Sequence, residues 1–245
     1  MISRVVFFLL LFSQIHAEEI KSYYFNVVLE ARYQTTIYAQ VTTPVLNVNK
    51  QLGDPFEEGE VLLELDDRVY EGNFKKSEAL VTKFTTELEA KKQLFADDAL
   101  SKFELDDGVS QLAGAEADKI IAHKMLLDTK IIAPYAGRVV KVNVKQFELA
   151  QQGKELVTLV DDAYLYAKFL VPSSLLRCLK VGAPLELYIK EAGKKVSSTI
   201  ARIAPVIDPS SQTIVVEAGI ENADHQLLAG MTGRVVLKDC AEVSP

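Results

Sequence analysis

The run Glu116-Ala117-Asp118-Lys119 sets a lysine among carboxylates, which is how a covalent swinging arm is attached when such a lysine crowns a hairpin tip. The acidic pairs Asp66-Asp67 and Asp161-Asp162 offer paired carboxylates for acid/base work, and His16, His123 and His225 are the remaining proton carriers or ligands. Each loses its case to its surroundings. Lys119 lies deep in a helical run with no turn residue beside it, so it reads as a solvated charge on a helix face. Asp66-Asp67 stands between a strand and a helix start, where carboxylates act as caps and favourable N-terminal charges. His16 falls in an N-terminal leader, while His123 and His225 fall in different expected domains. Metal centres need clustered ligands with partner groups. Met125 and Met231 are too few for a methionine-rich metal-capture segment, and no nucleophile has a base beside it. Cys178 and Cys240 form either one bridge or two separate thiols. The expectation is a protein without catalysis, cofactor or metal.

The chain opens with Arg4, an apolar run from Val5 to Phe12, then Ser13-Gln14-Ile15-His16-Ala17 before Glu18-Glu19. That order of basic, apolar and small residues reads as a secretory signal over 1–17, cleaved after Ala17. Eight apolar residues fall well short of the roughly 20 that span a bilayer as a helix. No cysteine stands near residue 17, so no lipid anchor is expected. Lysine and arginine total 27 against 34 acidic residues, and the basic ones are scattered, which argues against a nucleic-acid partner. With 49% hydrophobic residues there is ample material for packed cores.

The elements follow from an internal repeat. Residues 44–67 read PVLNVNKQLGDPFEEGEVLLELDD and 138–162 read RVVKVNVKQFELAQQGKELVTLVDD. Gly59 corresponds to Gly153, and each precedes an apolar strand, Val61 to Leu65 or Leu156 to Val160, that closes on an acidic pair. Ahead of them, Leu46 and Val48, and in the second copy Val140, Val142 and Val144, show period-two patterning. An isolated hairpin is marginal in water, so the halves are expected to pair into one small β-sandwich.

Between the halves, residues 68–129 lack proline and are rich in Ala, Leu, Glu and Lys, a helical composition. Val81, Phe84, Leu88 and Phe95 give one stripe, interrupted by Lys91; Leu105, Val109, Leu112, Ile120 and Leu127 give a looser one. With a break at Asp97-Asp98, two antiparallel helices of about 26 residues would project roughly 40 Å. Beyond Asp162, alternation in Leu165–Val171, Leu185–Ile189, Ile214–Ile220 and Val235–Leu237 predicts short strands, with a short helix over Ser173 to Leu179. Turns at Gly182-Ala183-Pro184, Glu191-Ala192-Gly193, Asp208-Pro209-Ser210-Ser211 and Glu221-Asn222-Ala223-Asp224 separate them, which suggests a small antiparallel barrel.

Four ordered stretches carry a resemblance: Ile131-Ile132-Ala133-Pro134-Tyr135-Ala136-Gly137-Arg138-Val139; Leu100-Ser101-Lys102 with Asp106-Asp107; Ala204 to Thr213, including Asp208 and Pro209; and Asn222, Leu227 and Ala229-Gly230-Met231. In the first, Pro134 is expected to end the returning helix and Gly137 to permit a tight turn. Together they resemble the periplasmic adaptor, or membrane fusion, family of tripartite efflux systems of the resistance-nodulation-division (RND) type and some ABC exporters.

The resemblance implies a mostly β chain with a long α-helical hairpin: a split lipoyl-like β-sandwich interrupted by an antiparallel coiled-coil hairpin, then a small antiparallel β-barrel. The expected boundaries are a signal over 1–17, N-terminal strands at 18–40 joining the barrel or a reduced membrane-proximal region, the lipoyl-like module at 41–67 and 131–162, the hairpin at 68–130, the barrel at 163–238 and a tail at 239–245. It implies a periplasmic connector, associated with the inner-membrane complex, between an inner-membrane RND-type or ABC transporter and an outer-membrane channel. By the same resemblance the chain is a homo-oligomer, a hexamer. The family's hairpin tip docks on the channel through an arginine, a leucine four residues on and a serine seven after that. Leu94 and Ser101 keep the last two, while the arginine position is Ala90, with Lys91 and Lys92 beside it. Ser101 also reads as an N-cap, with Glu104 completing a capping box. The other reading is a stand-alone periplasmic binding or scaffold protein using the barrel as its ligand or partner site.

Overall fold

A computed structural model describes residues 22–238; the leader expected over 1–17, Cys240 and the tail at 239–245 lie outside them. The chain is mostly β with a few helices. Its elements are β1 (Ser22–Tyr38), β2 (Thr43–Val48), β3 (Pro55–Phe56), β4 (Val61–Leu65), α1 (Arg68–Ala96), α2 (Lys102–Leu127), β5 (Lys130–Ile132), β6 (Gly137–Val142), β7 (Leu149–Ala150) and β8 (Glu155–Pro172). A 3-10 helix (Ser173–Cys178), β9 (Pro184–Ile189), β10 (Lys194–Asp208), β11 (Thr213–Glu221) and β12 (Thr232–Lys238) complete them. They fall into two compact units, one built from Leu29–Tyr166 with Glu221–Gly230 and one from the remaining segments. No helix among the described residues is long and apolar enough to cross a membrane.

In the first unit the repeated halves interlock by exchanging short strands. β3 of the first half pairs with β6 of the second (Pro55↔Arg138, Phe56↔Gly137), and β7 of the second pairs with β2 of the first (Thr43↔Ala150, Pro44↔Leu149). Val45, Leu62, Leu63, Leu65, Leu156 and Leu159 are all buried in one core, so neither half closes its apolar face alone. The inward residues differ from the period-two expectation at one place in each copy. Val45 and Val139 point inward, whereas Leu46 is only half-buried and Val140 is exposed. A bulge at the aligned positions, between Val45 and Asn47 and between Val139 and Lys141, inserts the extra residue that shifts the alternation.

Gly59 and Gly153 both adopt positive φ, 82° and 84°, in the matching turns that precede β4 and β8. Gly137 serves another purpose than the expected tight turn. It lies within β6, and a Cβ there would stand 2.1 Å from the Val160 carbonyl oxygen, so glycine is required by close backbone approach. Nor does Pro134 end the returning helix: α2 stops at Leu127, and Thr129, whose hydroxyl donates to the Leu126 carbonyl (2.6 Å), lies between the helix and β5.

The helices leave from β4 and return into β5, which are neighbouring antiparallel strands (Val61↔Ile132, Leu63↔Ile131). They run antiparallel, since the Phe74 ring lies against that of His123 (centroids 4.8 Å apart, tilted by 30°), Glu78 meets Lys119 (3.1 Å) and Lys91 meets Asp107 (3.6 Å). The inward residues of α1 are Phe74, Ser77, Val81, Phe84, Leu88 and Lys91, and those of α2 are Leu105, Gly108, Leu112, Ala115, Lys119, Ala122 and Leu126. Both rows follow alternating steps of three and four. Of the expected stripes, Phe95, Val109, Ile120 and Leu127 instead face solvent. Small and charged residues occupy much of the true seam of α2, which hides it from a search for large apolar side chains.

The second unit is the row β1-β12-β9-β10-β11-β8, and β1 also pairs with β8, so the row returns on itself. Leu187, Ile189, Val216, Ala218, Val235, Ala167 and Val171 are fully buried inside it, as strand alternation requires. β8 does not close at Asp161-Asp162 as expected but continues as one strand into this unit. Between β10 and β11, Asp208 accepts hydrogen bonds from the Ser210 and Ser211 amides (2.8 and 3.1 Å) and from the Ser210 hydroxyl (2.5 Å), and these hold its carboxyl below its ordinary range. Pro209 lies within that turn.

Candidate functional site

The turn joining α1 to α2 is fixed by its backbone. The Asp97 amide donates to the Gln93 carbonyl (3.1 Å), the Ala99 amide to the Leu94 carbonyl (2.8 Å), and Asp98 adopts φ 55°. Ser101 then starts α2 with a complete capping box. Its hydroxyl accepts from the Glu104 amide (3.3 Å), while the Glu104 carboxylate accepts from the Ser101 amide (3.0 Å) and hydroxyl (2.7 Å). Those bonds, from the Ser101 side chain first, hold the Glu104 carboxyl below its ordinary range. Leu94 is 48% exposed beside this turn. Lys91 is set apart from both: its stem lies in the seam over Gly108 and its ammonium faces Asp107. The structure therefore brings Leu94 and Ser101 to the helical turn and places Lys91 in the packing beneath it.

Of the residues read as chemical candidates, Lys119 and Asp66 are engaged structurally, and His16 lies outside the described residues. Lys119 is not a freely solvated charge but a seam residue, paired with Glu78 and 5.8 Å from the centre of the Phe74 ring. Asp67 occupies the N-cap of α1 without making a side-chain cap bond. Its neighbour Asp66 does the satisfying instead, accepting from the Arg68 amide (3.2 Å) and guanidinium (2.5 Å), which lower its carboxyl to about 2.

Sequence reasoning missed one cluster. Asp162, whose side chain is only 4% exposed, lies 3.0 Å from the Arg138 guanidinium and 3.1 Å from His225 Nδ1. Asn222, itself buried, donates from Nδ2 to the Asp162 carbonyl (2.7 Å) and the Leu227 carbonyl (2.9 Å) while accepting from the Leu227 amide (3.0 Å). These contacts give the stretch from Asn222 to Gly230 its fixed path, and the Gly230 amide closes it on the Leu29 carbonyl (2.7 Å). The enclosed carboxylate has the Arg138 guanidinium as its charge partner and the His225 ring beside it, while its two buried oxygens make no hydrogen bond, and with Asn222 these groups act as an internal clamp. The only sequence trace of it was the Asn222 and Leu227 spacing, because its members lie 24 and 63 positions apart from Asp162.

The molecule thus combines a split, interlocked sandwich, a helical pair rooted in neighbouring strands, and a row of strands that returns on itself. Residues 33–162 match the family model described as "RND MFP, barrel-sandwich hybrid domain". The chain belongs to the RND membrane fusion protein family. The beginning and end of this match enclose the helical pair, and residues 166–241 match a second model, "CusB-like, beta-barrel domain".

Among curated relatives of this membrane fusion protein is an uncharacterized protein of Haemophilus influenzae, 29% identical over 199 residues, covering 78% of this chain and 50% of that one. Another is the antibiotic efflux pump periplasmic linker protein ArpA of Pseudomonas putida, 27% identical over 206 residues, covering 76% and 54%. The chain spans about half the length of the curated relatives it matches. In fold it is similar to a MacA-MexA chimeric protein containing the Pseudomonas aeruginosa MexA α-hairpin domain. The TM-score there is 0.77 at 21% identity, with 90% of this chain and 82% of that one covered. A putative efflux transporter from Bacteroides eggerthii gives 0.74 at 20% identity, covering 92% and 72%.

Proposed function

We propose that the chain is the periplasmic adaptor subunit of a tripartite efflux pump, a non-enzymatic connector between an inner-membrane transporter of RND or ABC type and an outer-membrane channel. The observation that carries this reading is the pair of helices, each over 25 residues, that leaves β4 and re-enters at β5 in a membrane fusion protein. At 1.5 Å per residue α1 is about 40 Å long, a span suited to reaching a distant partner. The seam spacing of three and four is that of an antiparallel coiled coil, which supports reading the region as the expected hairpin. In this proposal residues 41–67 and 131–162 form the lipoyl-like module, 68–130 the hairpin and 163–238 the barrel.

Leu94 and Ser101, at the helical turn, are the proposed channel-docking residues; Lys91 supports that turn from the seam and contacts the channel only with its ammonium. Copies of the chain associate laterally into a ring, with a hexamer as the assembly the family resemblance favours. Periplasmic linker relatives support placement in the periplasm beside the inner-membrane complex.

Copurification from crosslinked cells tests the proposal. The intact chain is expected to bring down one inner-membrane transporter and one outer-membrane channel. Leu88→Pro is expected to lose the channel, because it interrupts α1 at a buried seam position. A chain that stays alone with a small molecule would favour the stand-alone binding protein, and undiminished channel capture by Leu88→Pro would refute the connector.

A further inference from the structure

The serine that starts α2 uses its hydrogen bonds inside the chain. The Ser101 hydroxyl donates to the Glu104 carboxylate (2.7 Å) and accepts from the Glu104 amide (3.3 Å), and the Ser101 amide donates to the same carboxylate (3.0 Å). A hydroxyl bonded in this way gains little by exchanging those bonds for bonds to a partner. What Ser101 and Glu104 supply together is a fixed helix start, because their reciprocal bonds satisfy two backbone donors at the first turn. The chain ahead of them is fixed as well, by the Ala99 amide on the Leu94 carbonyl (2.8 Å).

Phe103 stands directly before Glu104 in that first turn and is 81% exposed, the highest value for a large apolar side chain among the described residues. Packing against α1 cannot cover it. The inward row of α2 begins at Leu105, and two steps of about 100° put Phe103 about 200° around the helix, on the side away from α1. A single exposed apolar residue is ordinary on a protein surface. This one differs in its support: the capping box holds its backbone on both sides, so only two side-chain torsions remain to be fixed when a partner covers the ring. Along the helix axes, at 1.5 Å per residue, Phe103 and the exposed Leu94 both lie within about 3 Å of the helix ends that meet at the turn. A partner docking on that turn meets both.

We propose that Phe103 is a channel-contact residue, its ring entering an apolar recess on the outer-membrane channel, and that Ser101 and Glu104 are positioning residues that act on docking only through the capping box. Aromatic side chains are enriched among the anchors of protein interfaces, whereas a hydroxyl satisfied within its own chain is not a strong one. The inference rests on the reading of the chain as an adaptor that docks on a channel through this turn. It deepens that reading by dividing contact and positioning between different residues.

The test titrates the immobilised full mature chain with the outer-membrane channel that copurifies with wild type, purified in detergent. Phe103→Gln is expected to weaken binding about thirty-fold, from the lost burial of one aromatic side chain. Its thermal midpoint and first-turn amide exchange should match wild type, because the ring is exposed and glutamine is a good helix former. Ser101→Asn removes the hydroxyl but keeps a capping side chain, and should bind at nearly the wild-type level. Glu104→Ala leaves the hydroxyl in place but opens the box, so it should both speed first-turn exchange and weaken binding; Glu104→Gln, which rebuilds the box, should restore both. A Phe103→Gln chain that binds like wild type would overturn the contact. A Ser101→Asn chain that keeps first-turn protection yet binds as weakly as Phe103→Gln would overturn the positioning role. Either result leaves the adaptor reading standing, whereas a wild type that copurifies with no channel removes that reading and the contact together.

Discussion

Replacing Gly137 with alanine should destabilise the sandwich more than any other single-methyl addition to a glycine of that unit. The new Cβ would stand 2.1 Å from the Val160 carbonyl oxygen, 3.0 Å from its carbon and 3.3 Å from Phe56 Cζ. Relief to ordinary contact near 3.5 Å requires β6 to move more than about 1 Å from β8. The obstacle is backbone, so no rotamer change absorbs it. Such overpacking costs about 1–3 kcal/mol, and weakening two ladder bonds next to the Arg138↔Val160 pair adds about 1 kcal/mol each. Alanine returns roughly 0.4–1 kcal/mol by restricting the unfolded chain. The net loss is about 3 kcal/mol, which at roughly 3 °C per kcal/mol for a unit of this size lowers the thermal midpoint by about 9 °C. Scanning calorimetry on the full chain reads this directly, with Gly114→Ala as the control, because that helical glycine has no atom within 4 Å of an added Cβ. The control should gain about 0.5–1 kcal/mol from helix propensity. A Gly137→Ala protein melting within about 2 °C of wild type would refute the close-approach argument, since even the low end of the net loss, about 2 kcal/mol with the weakened ladder bonds included, corresponds to about 6 °C.

Ser101→Ala removes the hydroxyl that accepts from the Glu104 amide, leaving the backbone arm to the Glu104 carboxylate, and should cost about 1 kcal/mol, seen as faster amide exchange in the first turn of α2. Ser101→Asn should restore protection, and equal protection in wild type and Ser101→Ala would contradict the cap. The Asp66 carboxyl should titrate near 2 by carbon-detected NMR, and Arg68→Ala should bring it back toward the ordinary carboxylate value. Because the folded value is the lower one, the stabilisation from this ion pair is complete above the unfolded value near 3.9 and is lost as pH falls through about 2. A wild-type midpoint near 3.9 would remove Asp66 as the group that satisfies the start of α1.

Legibility followed the range of the interactions. The turns at Gly59, Gly153 and Asp208, the capping box at Ser101 and the break at Asp97-Asp98 depend on residues within a few positions of one another, and local pattern reveals them; the repeat is legible because each copy carries the same local pattern. The face of a strand does not survive a bulge: one inserted residue turned Val45 and Val139 inward and Val140 out, and nothing in the composition of either copy marks it. The seam of α2 failed for another reason. Its inward positions hold Gly108, Ala115, Lys119 and Ala122, while Ile120, Ile121 and Met125 face outward, so a search for large apolar residues selects the wrong side. The Asp162, Arg138 and His225 clamp is invisible for a third reason, because a buried carboxylate is recognised by partners that only the folded topology brings near.

That seam also constrains how the helical pair can be held. Among its inward residues only Ser77 and Leu88 of α1 and Gly108 and Ala115 of α2 are buried, and three of those four are small. Apolar burial scales with the area removed from water, so this row contributes far less than a seam of leucines. What the small residues provide is closeness: an added Cβ at Gly108 would already lie 3.3 Å from Leu88 and 2.9 Å from the stem of Lys91. Register then depends on the charged partners along the seam, Lys91 with Asp107 and Lys119 with Glu78, and above all on the root, where the Leu65 amide donates to the Thr129 carbonyl (2.8 Å). Because both helices are anchored in adjacent antiparallel strands, the pairing of β4 with β5 fixes where each helix starts relative to the other. The sheet at the root, more than the seam, therefore sets the register of the helical pair that ends at Leu94 and Ser101.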